Sequence, residues 1–413
     1  MSTDRPYDVV LLGATGFTGR LVADYLATRL AGTDVTWAIA GRRGDALSAL
    51  RDELAAAAPS PVPAVEVVDA GDLVGLLDLA ARTRVLASTA GPFERLGELG
   101  AQACVRSGTH YCDTTGEPAY VQHLQSRYHR DAERRGVRLV PACAFESVPH
   151  DLGARLAAQQ LPQHAPIRVR GYVAIAAAPS AGTLRTALEA RSPGRPPRRP
   201  APDPDALRPV GALPRTIHYV DELGRWALPL PSLDERIVMR SAQLLDGYGT
   251  VFRYGHYLRV GGPLSAAGRL AAGTGAGVAR FPPARALLRR LLPPAGTGPS
   301  PERRARSWFT VNFFGESGGA QPEARSHVRV AGGDPAYGGS ARMLAEAALA
   351  LAHDAPVPRA GVLTPASGLG EGYLERLRGA GLRFDVRSAP GVGRAGAAPV
   401  TGRRSGAQHG GSS

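Results

Sequence analysis

Near the start of the chain, Leu11-Leu12-Gly13-Ala14-Thr15-Gly16-Phe17-Thr18-Gly19-Arg20-Leu21-Val22 sets a glycine at every third position between an apolar run and a helical pattern. Residues 7–12, YDVVLL, read as a short buried parallel strand. From Arg20 to Leu30 the apolar residues Leu21, Val22, Tyr25 and Leu26 fall at helical spacing. A strand, a glycine turn and a helix in that order grip the pyrophosphate of a dinucleotide. The first glycine allows the tight turn, the second lets backbone approach phosphate, and the third lets helix pack close on strand. The helix N-terminus adds N–H groups and a partial positive charge. Gly13, Ala14, Thr15, Gly16, Phe17, Thr18 and Gly19 are therefore the expected phosphate-binding turn.

The pattern continues for about 150 residues. VTWAIAGR, AVEVVDAGD and RVLASTAGP read as strands, and DALSALRDELAAAA and LGAQACVRSG as helices. Such alternation predicts an α/β chain with a doubly wound parallel sheet, an N-terminal Rossmann domain over residues 1–152. The texture then changes. PIRVRGYVAIA, ERIVMRSAQLL, YGTVFRYGHYLRV and SWFTVNFFGES read as elements of a second, mixed sheet in an α+β domain over 153–335. Within it, 190–212 is rich in Pro and Arg and reads as a mobile loop. Residues 339–354 and 370–386 read as closing helices and a strand, with a segment 336–386 returning to the first domain. Residues 387–413 have no apolar period and read as a disordered tail.

The end of the second strand indicates which dinucleotide. An NAD site carries a carboxylate there for the ribose 2′-hydroxyl. This chain has Ala40-Gly41-Arg42-Arg43. Arg42 and Arg43 suit a 2′-phosphate, so the expected cofactor is NADP(H). Asp69, ending the third strand, and Ala70 beside it fall where the adenine lies. Ser88, Ala90, Gly91 and Pro92, after the fourth, fall along the nicotinamide ribose.

Composition removes whole reaction classes. All 49 basic residues are arginine, and the net charge is +13. Without lysine there is no Schiff-base chemistry, no Walker A loop and no Tyr-x-x-x-Lys dehydrogenase mechanism. The arginines are spread along the chain without a nucleic-acid-binding signature, so no nucleic-acid partner is expected. Cys104, Cys112 and Cys143 are spaced for neither zinc nor disulfides, and no metal site is expected. No apolar run is long enough to span a membrane, and no secretory signal is read at the start, which fits a cytoplasmic protein. Residues 262–295, interrupted by Arg269, Arg280, Arg285, Arg289 and Arg290, leave peripheral membrane contact open.

With these residues in hand, the chain resembles the saccharopine dehydrogenase-like oxidoreductases, and within them the trans-acting enoyl reductases of actinobacterial lipid and polyketide pathways. The resemblance runs to about residue 386. It is carried by GATGFTGRLVADYL, WAIAGRR, STAGPFERLGELGAQACVRSGTHYCDTTGE, FESVPHDLG, AGTLRTALE, PAGTGPSPERRARSWF, GDPAYGGSARMLAEAALAL and GVLTPASGLG. It implies NADPH-dependent reduction of a carbon–carbon double bond in an acyl or polyketide intermediate carried on another protein, in a chain compatible with a homodimer. The family usually reads Gly-Phe-Asp-Ser-x-Pro-Ser-Asp where this chain has Ala144 to Asp151, with alanine for glycine and His150 for serine. Saccharopine dehydrogenases proper rely on a lysine, which is absent here.

Hydride transfer asks the protein for placement and for a group that meets the developing enolate. HYCDTTGE offers His110, Tyr111, Asp113 and Glu117; FESVPHD offers Glu146, His150 and Asp151. Tyr111 and His150 are the catalytic candidates by position and type. A half-buried strand position accounts for Tyr111 equally well, and a helix opening accounts for His150. A dinucleotide-binding scaffold or sensor without turnover is the alternative reading of the whole chain.

Overall fold

The computed structural model describes residues 5–57, 61–177, 206–230, 232–262, 298–319 and 321–387. Most of the Pro/Arg-rich loop, the arginine-interrupted segment around 264–292 and the tail from 388 lie outside the described residues.

The first six strands alternate with helices: β1 Tyr7–Leu12, α1 Phe17–Leu30, β2 Trp37–Gly41, α2 Gly44–Ala57, β3 Ala64–Val67, α3 Leu73–Ala81, β4 Thr83–Ser88, α4 Phe93–Ser107, β5 His110–Asp113, α5 Pro118–Arg134 and β6 Arg138–Val140. All pair in parallel in the order β6-β5-β4-β1-β2-β3. This is the doubly wound order, with its switch point between β1 and β4. The central strands are apolar on both faces because helices cover both.

α6 Val148–Gln159 leads into the second sheet. That sheet holds β7 Ile167–Ala176, β8 Val210–Ala212, β9 His218–Val220, β10 Arg225–Pro229, β11 Phe252–Val260, β12 Trp308–Gly318 and β13 Pro322–Gly332. β11 runs parallel to β7 and β8, and the other pairings are antiparallel, so the sheet is mixed as expected. One expected strand is instead a helix. ERIVMRSAQLL lies in α7 Leu233–Leu244, where Leu233, Ile237, Val238, Ala242 and Leu244 are buried. Their spacing is helical, and β-branched content had concealed it.

The expected boundary at residue 152 falls inside α6. Gly153 lies so close to β12 that a Cβ there would sit 2.2 Å from the ring of Phe313, itself fully buried. The C-terminal segment serves both sheets. α8 Ser340–His353 packs on α1, β1, β4 and β5, and β14 Gly361–Val362 adds to β6. After α9 Gly372–Gly379, β15 Arg383–Arg387 pairs with β13 in the second sheet. The return is thus shared between the domains. Among the described residues no helix is long and apolar enough to cross a membrane.

Two tests follow. Gly153→Ala forces a methyl into Phe313 and should cost about 1–3 kcal/mol of stability, read by chemical denaturation; no loss would mean that the contact is not tight. His110 concerns pH. Its Nδ1 accepts the backbone N–H of Arg138 at 3.1 Å. Burial, reinforced by Arg138 and Arg5, pushes the imidazole down to about 3. The folded ring stays neutral, so its contribution is complete above about pH 6.5 and is lost as pH falls toward 3. His110→Asn should lose less stability than the parent between pH 7 and 4; equal losses would place the acid sensitivity elsewhere.

Candidate functional site

The glycine turn is built as its spacing requires. Gly13 has φ +86°, a left-handed conformation. Its N–H donates to the Ala40 carbonyl at 2.9 Å, and the Gly16 N–H donates to the Gly13 carbonyl at 3.0 Å. A Cβ on Gly19 would lie 2.2 Å from the Gly13 oxygen, so the third glycine lets α1 press on the turn. Gly16 differs: it is exposed, and a Cβ there would meet only the Gly13 oxygen, at 3.3 Å. The space above it is open. Gly16 caps α1 without a side-chain bond, and no acidic residue occupies the first turn. The positive end of the helix therefore faces that space, as an anion site needs. Thr89 fixes the neighbouring loop. Its N–H donates to the Leu12 carbonyl at 2.9 Å, and its hydroxyl lies 3.1 Å from the Gly13 carbonyl.

Arg42 and Arg43 follow β2, both exposed. Arg43 Nη2 donates to Thr15 Oγ1 at 3.1 Å, which draws one guanidinium over the turn. β3 ends at Val67, two residues short of Asp69. Asp69 is exposed and accepts the Gly71 N–H at 2.7 Å, which closes a small turn. Ser88 ends β4, buried, its hydroxyl 3.3 Å from the Ala90 N–H. A cis Gly91-Pro92 bond then leads into α4. All these residues lie along the C-terminal edge of the parallel sheet, where such folds bind ligands.

The candidates from HYCDTTGE are structural. Tyr111 is fully buried between β5 and α4, its hydroxyl 3.2 Å from that of Tyr120. Burial, then Asp113, pushes the phenol well up. Fully buried inside the nucleotide domain, with its hydroxyl beside that of Tyr120, Tyr111 is placed as a core residue rather than as the proton donor expected of it. Glu117 accepts the N–H groups of Phe93 at 3.0 Å and Glu94 at 2.7 Å, and so caps α4. Asp113 accepts those of Thr115 and Ala142, both at 2.9 Å. Asp151 accepts that of Ala366 at 2.8 Å.

His150 is different. It sits in the first turn of α6, 1% exposed, against Phe145, whose ring centroid is 5.3 Å away. Opposite are Asp234 from α7 and His256 from β11, 6% and 4% exposed. His150 Nε2 lies 3.6 Å from Asp234 Oδ1, and His256 Nε2 3.7 Å from Asp234 Oδ2. The two imidazoles meet edge to face at 4.7 Å. Burial holds both imidazoles low, that of His256 at about 3, and raises the Asp234 carboxyl to about 8, with Glu146 adding to the rise. Glu146 itself is exposed, beside Gly116. Ser340 joins this cluster to the glycine turn. Its hydroxyl accepts the Phe145 N–H at 3.1 Å and donates to the Pro335 carbonyl at 2.8 Å. Two residues on, Tyr337 packs edge-on against Phe17 at 5.0 Å. Asp234 and His256 were missed in the sequence. A signal for His256 existed: it continues the inward register of Phe252 and Tyr254.

Comparison with known proteins bears on the cofactor domain, the family and the fold. Residues 9–140 match the family described as saccharopine dehydrogenase NADP binding domain. A protein of Mycobacterium tuberculosis (strain ATCC 25618 / H37Rv) is 34% identical over 93% of this chain and 98% of its own. The trans-acting enoyl reductase of Mycobacterium ulcerans (strain Agy99) is 34% identical over 91% of this chain and 96% of its own. Among solved structures, apo saccharopine dehydrogenase (L-Glu forming) from Saccharomyces cerevisiae is 12% identical, with a TM-score of 0.51 over 92% of this chain and 99% of that one. That likeness is one of fold.

The arginine pair makes a direct test. Replacing both Arg42 and Arg43 by alanine should weaken NADPH binding by about 10–100-fold, the worth of one or two charge-assisted bonds. NADH binding should stay within about threefold in the same fluorescence titration. An equal loss for both nucleotides would mean that the arginines do not read the 2′-phosphate.

Proposed function

The chain belongs to the trans-acting enoyl reductase family, with a saccharopine dehydrogenase-like NADP-binding domain, and from that premise we propose that it reduces the conjugated carbon–carbon double bond of an acyl or polyketide thioester held on a carrier protein. It is an NADP-dependent oxidoreductase. The observation that carries the cofactor preference is the open, uncapped start of α1 beside an arginine pair, with no carboxylate at the end of β2.

In this reading Gly13 to Gly19 and the N-terminus of α1 hold the pyrophosphate. Arg42 and Arg43 hold the 2′-phosphate, Asp69 and Ala70 border the adenine, and Ser88, Ala90, Gly91 and Pro92 support the nicotinamide ribose. NADPH held there would supply the hydride for the β-carbon, and with a proton added at the α-carbon the products would be NADP⁺ and the saturated thioester. The protein must meet negative charge growing on the carbonyl oxygen between those events. Tyr111 packs within the nucleotide domain against Tyr120, away from the joint of the two sheets. In this reading the task falls to His150, which stands with Asp234 and His256 at the joint of the two sheets.

The test follows absorbance at 340 nm with α,β-unsaturated acyl thioesters, free and carrier-bound, with products identified by mass. NADPH consumption yielding the saturated thioester, at least tenfold faster on the carrier-bound form, is the expected result. Tight NADPH binding with no turnover on any member would favour a scaffold instead. Turnover with Tyr111→Phe should stay within about threefold of the parent, provided the variant folds.

A further inference from the structure

Three side chains from distant parts of the chain converge where α6, α7 and β11 meet. The donor atoms of His150, Asp234 and His256 all lie within 4.8 Å of one another. Each residue is more than nine-tenths buried. Asp234 Oδ1, which faces His150 Nε2, and His256 Nε2, which faces Asp234 Oδ2, have no hydrogen-bond partner among the described residues. Buried polar atoms are nearly always paired, so two orphans facing into one cluster need an explanation. The separations of 3.6 and 3.7 Å are too long for hydrogen bonds. They are close to the span of two donors about 2.0–2.2 Å from one shared cation.

The surroundings support the same assignment. His256 uses its other nitrogen, Nδ1, against the Tyr254 hydroxyl at 3.1 Å, and the Ser232 hydroxyl donates to Asp234. Outer contacts of this kind orient metal ligands. Two imidazoles and one carboxylate suit a first-row divalent ion, and three protein ligands leave a coordination position for substrate or water.

We propose that His150, Asp234 and His256 form a binding site for one divalent first-row cation, with zinc as the best match. Zinc neither donates nor accepts electrons in the reaction, and it acts as a Lewis acid toward an oxygen ligand. Its task of polarising the thioester carbonyl rests on the reductase reading above. The binding site itself does not.

The experiment measures metal independently of turnover. Untagged protein is stripped with chelator and titrated with zinc chloride in a calorimeter, while metal content is read by mass spectrometry on protein as purified. One equivalent per chain is expected. Asp234→Asn and His256→Gln should each weaken zinc binding by about 100-fold or more while NADPH binding reports an intact fold. Cobalt(II) added to the parent protein gives a readout that needs no variant. Visible d–d bands without a thiolate charge-transfer band are expected, since the cluster of candidate ligands contains no cysteine. No zinc uptake by the parent, unchanged affinity in both variants, or a thiolate band would each overturn the site. Turnover in metal-free protein would remove the Lewis-acid task and leave the reductase reading standing.

Discussion

α6 lies against the second sheet with no side chain at Gly153 to hold it off. That approach sets the distance between the two domains and makes them share a core. Phe313 fills the space a Cβ would take, and Val148, Leu152, Ala154, Ala157 and Ala158 continue the contact along the helix. The first turn of the same helix carries His150 to Asp234 and His256. The polar cluster therefore exists only because the two sheets are pressed together at this helix. Its members hold no common local motif, and their meeting is a product of packing. The glycine turn stands in contrast, since nearly all of its geometry arises within seven residues and one neighbouring threonine.

This contrast explains what could be read from the amino-acid order. Gly13, Gly16 and Gly19 carry their physical reasons locally, and so do the strand patterns around them. The doubly wound sheet was legible for the same reason. α7 was misread because Ile237 and Val238 resemble strand residues in isolation, and only the burial of Leu233 and Leu244 on the same side reveals the helix. Tyr111 was misjudged because a strand position does not say which face meets a helix. Gly100 leaves room for its ring, and Tyr120 takes its hydroxyl. The register of β11 says that His256 points inward but not what it meets, and Asp234 carried no signal, because the value of both depends on a residue some eighty to one hundred positions away.

A chain without lysine must build every cationic contact from guanidinium, and the structure uses the fork that this group offers. Arg138, 4% exposed, donates to the carbonyls of Gly368 at 3.2 Å and Leu351 at 3.0 Å. Arg376 reaches both Asp354 and Glu346, and Glu346 also receives Arg29 and the Tyr25 hydroxyl. These bonds fasten α8 and α9 to α1. The arginine excess is in part a set of internal clamps.

The threading of the last strands has a consequence for how the molecule is made. The parallel sheet that begins at Tyr7 is completed only by Val362, and Phe384 then enters the other sheet. During synthesis the first domain thus leaves the ribosome with one edge and one helical face unfinished. Pairings this remote in sequence form slowly. The nascent nucleotide-binding half must wait, with apolar surface uncovered, for some two hundred further residues before α8 can shelter it. Chaperone dependence during translation, rather than low stability of the finished fold, is where this architecture is most vulnerable.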